Sequence, residues 1–414
     1  MKDSAAEVLQ FVRENDVKFI RLAFYDITGS QKNIAIMAQE LPRAFERGIG
    51  FESPNVLGLE RIQHADLFLV PDCSTISILP WRPAHERVMR MYCDVCYADG
   101  TPFEDTGRAI LQQATQRAAD LGYICRVGTE CEFYLFRTDE NGNPTNELFD
   151  HGTYADMAPL DRGENIRREI CLALEAMGLQ PESSYHEQGP GQNEVDFRYA
   201  DALTAADNFV TFKSVVKAIA AQNGLYASFL PKPLPDRAGN GLHVHLSLAR
   251  GGKNLFEVSP RHSEDAESFV QGILDQTADI TAFLNPLTNS YRRFGSFEAP
   301  HAVTWSHQNR SQLIRIPASS GESNRMELRS PDPSCNPYLA FTLLIRAGLD
   351  GIRTHAQLPE ATDLDLYHAP EDVHARCRAL PRSLAQAREA AAQSRFIEKS
   401  LPREMIEGYT GSAG

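Results

Sequence analysis

Two glutamates in the stretch GTECEFYLF, residues 128–136, are the first candidates for chemistry in this chain. Aromatic and apolar residues crowd the stretch, which predicts a β-strand, and side chains alternate between the two faces of a strand. Glu130 and Glu132 therefore point the same way. Two carboxylates side by side on a half-buried face repel each other and are costly to desolvate. A bound cation would offset that repulsion, so the pair indicates a metal site.

Three other strand-like stretches carry ionisable or polar residues at the same spacing of two. NEVDFRY contains Glu194, Asp196 and Arg198, LHVHLSL contains His243, His245 and Ser247, and RMELR contains Arg325, Glu327 and Arg329. Any one of these strands could simply present a polar face to water. Carboxylates and imidazoles on four strands together favour a single sheet whose concave face is a charged site.

The candidate metal ligands are hard oxygen donors with one imidazole. They are Glu130, Glu132, Glu187, Glu194, Glu327 and His243. Such a set favours Mg²⁺ or Mn²⁺ over zinc. A hydrogen-bonded core residue is the competing interpretation for a lone histidine on a strand.

Arginines are concentrated in residues 292–329, which contain no lysine. The six are Arg292, Arg293, Arg310, Arg315, Arg325 and Arg329. Guanidinium groups bind phosphate and carboxylate in two-pronged fashion and stay charged, although surface salt bridges would account for some of them. Acidic residues for metals next to arginines for oxyanions indicate phosphoryl transfer. The sequence lacks the GxxxxGK[ST] motif and the protein-kinase signatures, so both of those classes are excluded.

Composition narrows the class of protein further. The chain has 414 residues and a formal net charge of −14, which argues against nucleic-acid binding. We expect no membrane span, since no apolar run approaches 18 residues, and the N-terminal pattern is that of an amphipathic helix rather than a signal peptide. Eight scattered cysteines include one CxxC, Cys93 and Cys96, with no second pair to complete a zinc site. A reduced, cytoplasmic enzyme is the expectation.

The order of predicted elements indicates two domains. Residues 1–100 mix one helix with short strands, and a helix should begin after Thr106 and run to about Leu121. Beyond it, strand-like stretches alternate with helical ones at 163–179, 201–223, 263–285 and 336–353. We therefore expect a small N-terminal domain, 1–100, and an α+β catalytic domain, 101–414.

Seven ordered stretches give the chain a specific resemblance. They are GTECEFYLF, HEQGPGQNEVDF, FLPKP, GNGLHVHLSL, NPLTNSYRR, NRSQLIRIP and NRMELRSPDPSCNPYLAF. Together they resemble the glutamine synthetase family, in particular the bacterial type I enzymes. The resemblance implies a β-grasp N-terminal domain, a catalytic domain with a curved antiparallel sheet, and homo-oligomeric rings of six or double rings of twelve. In such rings the active site lies between the N-terminal domain of one subunit and the catalytic domain of the next.

The resemblance also implies residue roles. One metal ion would be held by Glu132, Glu187 and Glu194, and a second, on the ATP phosphates, by Glu130, His243 and Glu327. Catalysis would involve Glu298, a flap residue that takes a proton from the attacking amine, with Arg310, Arg329 and Glu52. The implied substrate-binding residues are Arg293, Arg329, Glu132, Gly239 and His243. The implied ATP-binding residues are Glu182, Tyr199, His245, Ser247, Arg310, Arg315 and Arg325.

These roles imply an ATP-dependent ligase that activates the γ-carboxylate of glutamate as γ-glutamyl phosphate and joins it to ammonia or a small amine. Mg²⁺ or Mn²⁺ would be the cofactor and ATP the co-substrate. A catalytically silent structural or regulatory homologue is the alternative, although no metal carboxylate is missing. A two-metal hydrolase would leave the arginines without a purpose.

Departures from the family pattern concentrate around the substrate. The ammonium pocket reads FESPN instead of FDGSS, which places Glu52 where an aspartate is usual. Ala238 replaces a glutamate-contacting asparagine, the flap RRFGSFEAP is one residue short, and Glu322 stands near the usual place of a lysine. The acceptor is therefore left open between ammonia and an organic amine, with a slight preference for the latter. Tyr367 falls near a tyrosine that some relatives adenylylate, although an ordinary loop tyrosine is the simpler interpretation.

Overall fold

The computed structural model describes residues 4–60, 66–257, 262–317 and 321–411. The side chain of Glu322, one of the departures noted above, lies outside the described part. Within these ranges the chain forms two β-sheets, one built from residues 17–97 and one from residues 123–328.

The first sheet has six strands in the order β2-β1-β6-β4-β3, with β5 beside β6. Strands β1 and β6 run parallel and the other pairs run antiparallel. Two helices flank the strands, and the first begins at a capping box in which Ser4 and Glu7 bond each other's backbone. The elements are α1 (Ala5–Glu14), β1 (Val17–Tyr25), β2 (Gln31–Met37), α2 (Leu41–Arg47), β3 (Ile49–Phe51), β4 (Leu67–Pro71), β5 (Ser77–Ile78) and β6 (Arg87–Tyr97).

The second sheet has ten strands and is covered by helices. All five helices predicted beyond residue 100 are present, and Thr106 caps the first of them as expected, accepting a bond from the Ala109 N–H. The elements are α3 (Gly107–Asp120), β7 (Tyr123–Thr138), β8 (Pro144–Leu148), α4 (Glu164–Ala176), β9 (Pro181–His186), β10 (Gln192–Asp201), α5 (Ala202–Gln222), β11 (Leu225–Ser228), β12 (Leu242–Arg250), β13 (Lys253–Asn254), α6 (Glu264–Leu284), β14 (Trp305–His307), β15 (Ile314–Ile316), β16 (Met326–Leu328), α7 (Pro337–Thr354), α8 (Glu371–Arg376), α9 (Leu384–Gln393), α10 (Arg395–Ser400) and α11 (Arg403–Thr410).

The four strands expected to share one sheet are neighbours in it. Its main path is β14-β15-β16-β12-β7-β10-β9, so the prediction of a single sheet is confirmed. The expectation that the sheet is antiparallel holds for every pair but one, because β14 and β15 run parallel. Both of those strands are only three residues long and lie at the sheet edge, so the exception does not alter the central strands.

Helices α6 and α7 pack closely against each other in the main hydrophobic core, behind the sheet. Their backbones approach so closely that a Cβ built on Gly272 would lie 2.2 Å from the Ala347 carbonyl oxygen. The side chains of β7 show how the sheet divides core from site. Cys131 and Phe133 enter the core, while Glu130 and Glu132 lie on the opposite face.

A buried ion network joins the two sheets' domains. The Arg108 guanidinium, on α3, lies 2.8 Å from the Asp72 carboxylate and 2.5 Å from that of Asp94, both in the N-terminal domain. It also lies 3.1 Å from the carboxylate of Asp207 on α5, which accepts a further bond from the Tyr338 hydroxyl. Arg108 therefore connects the domain of the first sheet to the helices α3 and α5 of the second domain within the same chain.

In the described part of the chain, none of the helices has the length and apolarity needed to cross a membrane. Both members of the CxxC, Cys93 and Cys96, are buried and form no disulfide.

Candidate active site

Three glutamates form the first cluster of candidate metal ligands. Glu132 on β7 lies directly opposite Glu194 on the neighbouring strand β10. Glu187 follows β9 and is held by a backbone bond from its N–H to the Gln192 carbonyl. Each of the three offers a carboxylate oxygen, and these atoms all lie within 4.8 Å of one another. The structure thus brings together the set that the resemblance assigned to one metal ion.

Burial and mutual repulsion shift the pKa of all three carboxyl groups upward. Burial, reinforced by the charge of Glu187, raises the pKa of Glu132 to about 8. Burial likewise raises the pKa of Glu187, and that of Glu194 rises well above its ordinary value. The Glu194 Oε1 atom is buried and has no hydrogen-bond partner among the described residues. Such an oxygen is costly to bury unpaired, so the cluster fits a divalent cation.

The hydrogen bonds next to Glu187 explain how that ligand is positioned. His186 Nδ1 donates to the Glu187 carbonyl at 2.7 Å, and its Nε2 lies 2.8 Å from Asp150 Oδ1. Asp161, which lies near this pair, is engaged by Arg167. Asp150, Asp161 and His186 thus have partners of their own, so we interpret them as supports rather than as a third metal site.

The second cluster contains Glu130, Glu327 and two histidines. Glu130 lies opposite His243 across β7 and β12, and Glu327 lies opposite His245 across β12 and β16. Ligand atoms of Glu130, His245 and Glu327 lie within 4.8 Å of one another. His243 Nδ1 lies 3.4 Å from Glu130 and 3.6 Å from Glu327. Geometry alone therefore offers either histidine as the imidazole ligand.

Hydrogen bonding favours His243, the predicted ligand, over His245. The Arg325 Nε–H donates to His245 Nδ1 at 2.8 Å, and since arginine only donates, that nitrogen must be the acceptor. The proton of a neutral His245 then resides on Nε2, which lies 2.8 Å from Glu130. In that tautomer, Nε2 carries the proton and Nδ1 already accepts, so His245 has no free lone pair for a metal, although Nε2 makes no hydrogen bond of good geometry to a described residue. Burial, aided by Arg329, lowers the pKa of His243 to about 4, which keeps its ring neutral as a metal ligand requires.

Five of the six predicted arginines line the same cleft. Arg315 and Arg329 both pair closely with Glu327, and the Nε atoms of these two arginines are buried without a hydrogen-bond partner in the described part of the chain. Arg293 is buried and donates to the backbone carbonyls of Ser330, Pro331 and Arg329. Carbonyls leave its charge uncompensated, which suits a carboxylate ligand. Arg310 is more exposed, and Arg325 lines both this cleft and the neighbouring cavity.

The predicted flap glutamate lies at the mouth of the cleft. One carboxylate oxygen of Glu298 lies 3.5 Å from the Arg329 guanidinium and 3.9 Å from that of Arg310. Phe297 and Glu298 have φ angles of 50° and 62°, which is unusual for residues other than glycine. The flap therefore presents its carboxylate beside Arg329 and Arg310, the two arginines that the resemblance placed among the catalytic residues.

Gly239 and Ala238 line a cleft of about 650 Å³ together with most of the residues described above. Glu327 and His245 are not part of its lining. A smaller cavity of about 130 Å³ adjoins it through Glu130 and Arg325, which line both. Five of the seven predicted ATP-binding residues line the smaller cavity, and they are Glu182, Tyr199, His245, Ser247 and Arg325. The residues that were predicted to bind the acid, the phosphate chain and the nucleoside thus line two adjoining cavities.

Glu52 is the predicted site residue that the single chain does not bring to the cleft. It lies just before a short helical turn in the N-terminal domain, and its carboxylate accepts a bond from Asn55 at 2.6 Å. The described residues that line the cleft all fall between positions 130 and 329. In the ring arrangement that the resemblance implies, the cleft would receive Glu52 from the neighbouring subunit.

Several lining residues were not predicted. Tyr154 and Tyr185 pack edge to face with ring centroids 5.8 Å apart, and Phe297 from the flap also lines the cleft. The Gln192 amide donates to the Glu132 carboxylate at 3.1 Å. Gln192 shares the face of Glu194 on β10, so the spacing of two could have revealed it, whereas Tyr154 lies in a loop with no such signal.

Comparison with known proteins decides the family. The family model described as "Glutamine synthetase, catalytic domain" matches residues 104–413, and the one described as "Glutamine synthetase, beta-Grasp domain" matches residues 16–98. The chain belongs to the glutamine synthetase family. This confirms the resemblance and the fold class inferred from the sequence, and it makes the chain a member of a family of ATP-dependent ligases that generally use divalent metals.

Individual relatives support the assignment over nearly the whole chain. A glutamine synthetase of Methanosarcina mazei is 46% identical over 409 residues, covering 97% of this chain and 92% of that protein. One of Clostridium saccharobutylicum is 44% identical over 414 residues, covering 99% and 94%. Among solved structures, one described as a GmaS/ADP complex superposes with a TM-score of 0.88 at 31% identity, covering 99% of this chain and 94% of that one. A Plasmodium falciparum glutamine synthetase, at 23% identity and a TM-score of 0.86, covers 99% and 96% and shares the fold.

Proposed function

We propose that this protein is an ATP-dependent ligase that phosphorylates the γ-carboxylate of glutamate and joins the acyl group to a small amine. The observation that carries the proposal is the arrangement of the cleft. Two carboxylate clusters suited to divalent cations lie beside a buried arginine without a carboxylate partner and two arginines that share Glu327. A smaller cavity of about 130 Å³, lined by five of the predicted ATP-binding residues, continues from the same surface.

Each group has a task in the reaction. The Arg293 guanidinium would bind the α-carboxylate of glutamate, and Arg329 would hold its γ-carboxylate. The γ-carboxylate oxygen attacks the terminal phosphorus of ATP and ADP leaves, while Arg310 and Arg315 neutralise the charge on the transferred group. When bound, Mg²⁺ or Mn²⁺ ions held by Glu132, Glu187 and Glu194 and by Glu130, His243 and Glu327 would supply further charge neutralisation.

The second half of the reaction forms the amide. The amine nitrogen attacks the acyl carbon, phosphate leaves, and the excess proton passes to the Glu298 carboxylate. Glu298 is suited to this role because its carboxylate lies at the mouth of the cleft, beside Arg329 and Arg310. The closed flap must also exclude water, which would hydrolyse the acyl phosphate.

For the acceptor, we place a small organic amine ahead of ammonia. Aromatic faces attract alkylammonium groups and also contact their alkyl parts, and Tyr154, Tyr185 and Phe297 line the cleft next to Glu187 and Glu298. The replacement of FDGSS by FESPN alters the segment that would form the other wall. The close relatives named glutamine synthetase support ammonia instead, so both acceptors belong in the test.

We further propose that the active unit is a ring of six or twelve subunits. The support is the position of Glu52, which lies away from the cleft of its own chain although the proposed chemistry needs a carboxylate near the amine.

The test is ADP release by the purified protein with glutamate, ATP and Mg²⁺ or Mn²⁺ against ammonium, methylamine, ethylamine, ethanolamine and putrescine, with the amide identified by mass spectrometry. We expect ADP and amide in equal amounts with at least one amine. Glu327→Gln should abolish both products, and the matched control Glu147→Gln, an exposed glutamate paired with Arg137, should not. No ADP with any amine would contradict the ligase and favour a silent homologue. Phosphate release that needs no glutamate would indicate a hydrolase.

A further inference from the structure

The flap that carries Glu298 adopts a conformation that its own residues do not favour. Within it, the Gly295 N–H bonds the Ala299 carbonyl at 3.0 Å and the Ala299 N–H bonds the Ser296 carbonyl at 3.1 Å. Phe297 and Glu298 between them both lie in the left-handed region, which costs free energy for residues with a side chain. Contacts from outside the flap must therefore hold it in place.

The first outside contact comes from Tyr367. Its hydroxyl donates to the Ala299 carbonyl at 2.9 Å, so that one oxygen receives both the internal flap bond and the tyrosine. The segment that carries Tyr367 is itself fixed. The Leu366 N–H bonds Ser311 Oγ at 2.9 Å, and the Gln312 amide bonds the Leu364 carbonyl at 2.7 Å. Tyr367 thus links the flap to a segment that is anchored next to Arg310.

The second outside contact comes from Lys232, in the FLPKP stretch. Its ammonium lies 4.6 Å from the centroid of the Phe297 ring and also bonds the Arg237 carbonyl. The Lys232 backbone is fixed by a reciprocal pair of bonds with the Asn289 amide side chain, at 2.7 and 3.0 Å. The ring itself is half exposed. A cation over its face is therefore a specific attraction that holds Phe297 on the cleft side.

We propose that Tyr367 and Lys232 are positioning residues that keep the flap closed over the reacting groups, so that ATP is consumed only when an amide is formed. The inference rests on the proposed function. Neither residue is a predicted ligand or catalytic group. We assign to both the task of keeping water away from the acyl phosphate. Loss of either contact should let water compete with the amine.

The first experiment measures ADP released per amide formed for Tyr367→Phe, with Tyr409→Phe as the matched control. Tyr409 also donates its hydroxyl to a backbone carbonyl, that of Ile27 at 3.1 Å, but it lies on α11 among core residues. Loss of one such bond shifts an open–closed equilibrium by about threefold to tenfold. We expect the excess of ADP over amide, which measures hydrolysis of the acyl phosphate, to rise by a similar factor in Tyr367→Phe and to stay unchanged in Tyr409→Phe. An unchanged ratio in both would overturn the proposal.

The second experiment compares Lys232→Met with Lys232→Arg. The methionine variant removes the cation and should raise the ratio of ADP to amide, while the arginine variant keeps a cation for the ring and should restore it most of the way. Equal behaviour of the two variants would contradict the role of the charge.

Hydrogen exchange separates failure of this inference from failure of the proposed function. The Gly295 and Ala299 amides should exchange about threefold to tenfold faster in Tyr367→Phe than in the wild type, without any change in the core amides. A wild-type protein that releases no ADP with any amine would count against the proposed function. The exchange rates would in that case still show whether Tyr367 holds the flap closed. Unchanged exchange at both amides would refute the anchoring by Tyr367.

Discussion

Metal binding at the first carboxylate cluster should be strongly pH dependent. Burial and the neighbouring Glu187 raise the pKa of Glu132 to about 8, so this carboxyl group is mostly protonated at pH 7 in the metal-free protein. A cation must displace that proton. The stability that neutral Glu132 gives the metal-free fold is fully present below its unfolded pKa, near the ordinary value of 4.5, and is lost as the pH rises through about 8.

The magnitude follows from the fraction of Glu132 that is ionised. With a pKa of about 8, about 1% of the groups are ionised at pH 6 and about half at pH 8, so the apparent affinity for Mn²⁺ should rise about 50-fold between these values. At pH 7 the binding of one ion should release about 0.9 proton from this group alone. The rise in pKa of Glu187 and Glu194 adds to the effect in the same direction.

Titration calorimetry with Mn²⁺ at pH 6, 7 and 8, in buffers of different ionisation enthalpy, measures both the affinity and the protons released. The gain in Tm from saturating Mn²⁺ should also be larger at pH 8 than at pH 6. Glu132→Gln should weaken binding and flatten its pH dependence, whereas Glu147→Gln should change neither. An affinity that varies less than about threefold over this range, or binding without proton release, would refute the assignment of the cluster as a buried, proton-coupled metal site.

Two further predictions concern the flap and the contact between the domains. Glu298→Gln should slow amide formation by about 10²- to 10⁴-fold while slowing ADP formation in a single turnover much less, because the carboxylate acts only on the amine; equal losses in both steps would contradict that role. Arg108→Met should lower the free energy of unfolding by about 3–5 kcal/mol, because it leaves buried Asp207 without its cation, and Asp94→Asn should cost less because Asp94 is 41% exposed. Urea unfolding measures both variants, and a loss below about 1 kcal/mol in Arg108→Met would show that the network is not coupled to folding.

The polar face of the sheet could be predicted because it depends on a local rule. Side chains two apart on a strand share a face, so Glu130 and Glu132 had to lie together whatever the rest of the fold. Which residues oppose them depends on register between strands far apart in the chain. Glu132 meets Glu194, and Glu130 meets His243, only because β7 lies between β10 and β12. The resemblance implied which residues share a metal ion, but neither it nor the local pattern gave the order of the strands.

The remaining features depend on tertiary contacts that leave no trace in a local pattern. The roles of His243 and His245 look interchangeable in LHVHLSL, and they separate only because Arg325 donates to one of them. Lys232 and Tyr367 reach the flap from segments on either side of it in sequence, and neither lies on a strand of the charged face. Glu52 could be proposed from FESPN, but no strand pattern could show that its own chain leaves it outside the cleft.

The charge balance of the cleft explains why so many ionisable groups can be buried together. Five glutamates and five arginines line it, and Glu327 lies behind them between Arg315 and Arg329. Burial favours the neutral form of the carboxyl groups on the Glu132 side, while Arg329 and the two histidines overcome burial and lower the pKa of Glu327 to about 2 on the other. Glu132, in the first cluster, is therefore mostly protonated near neutral pH in the metal-free protein, while Glu327, in the second, is ionised. Binding of a divalent cation to the first cluster expels protons, so part of the positive charge that arrives with the metal leaves with those protons. In the proposed reaction, the first cluster therefore couples metal binding to proton release, while Glu327 stays ionised between Arg315 and Arg329 throughout.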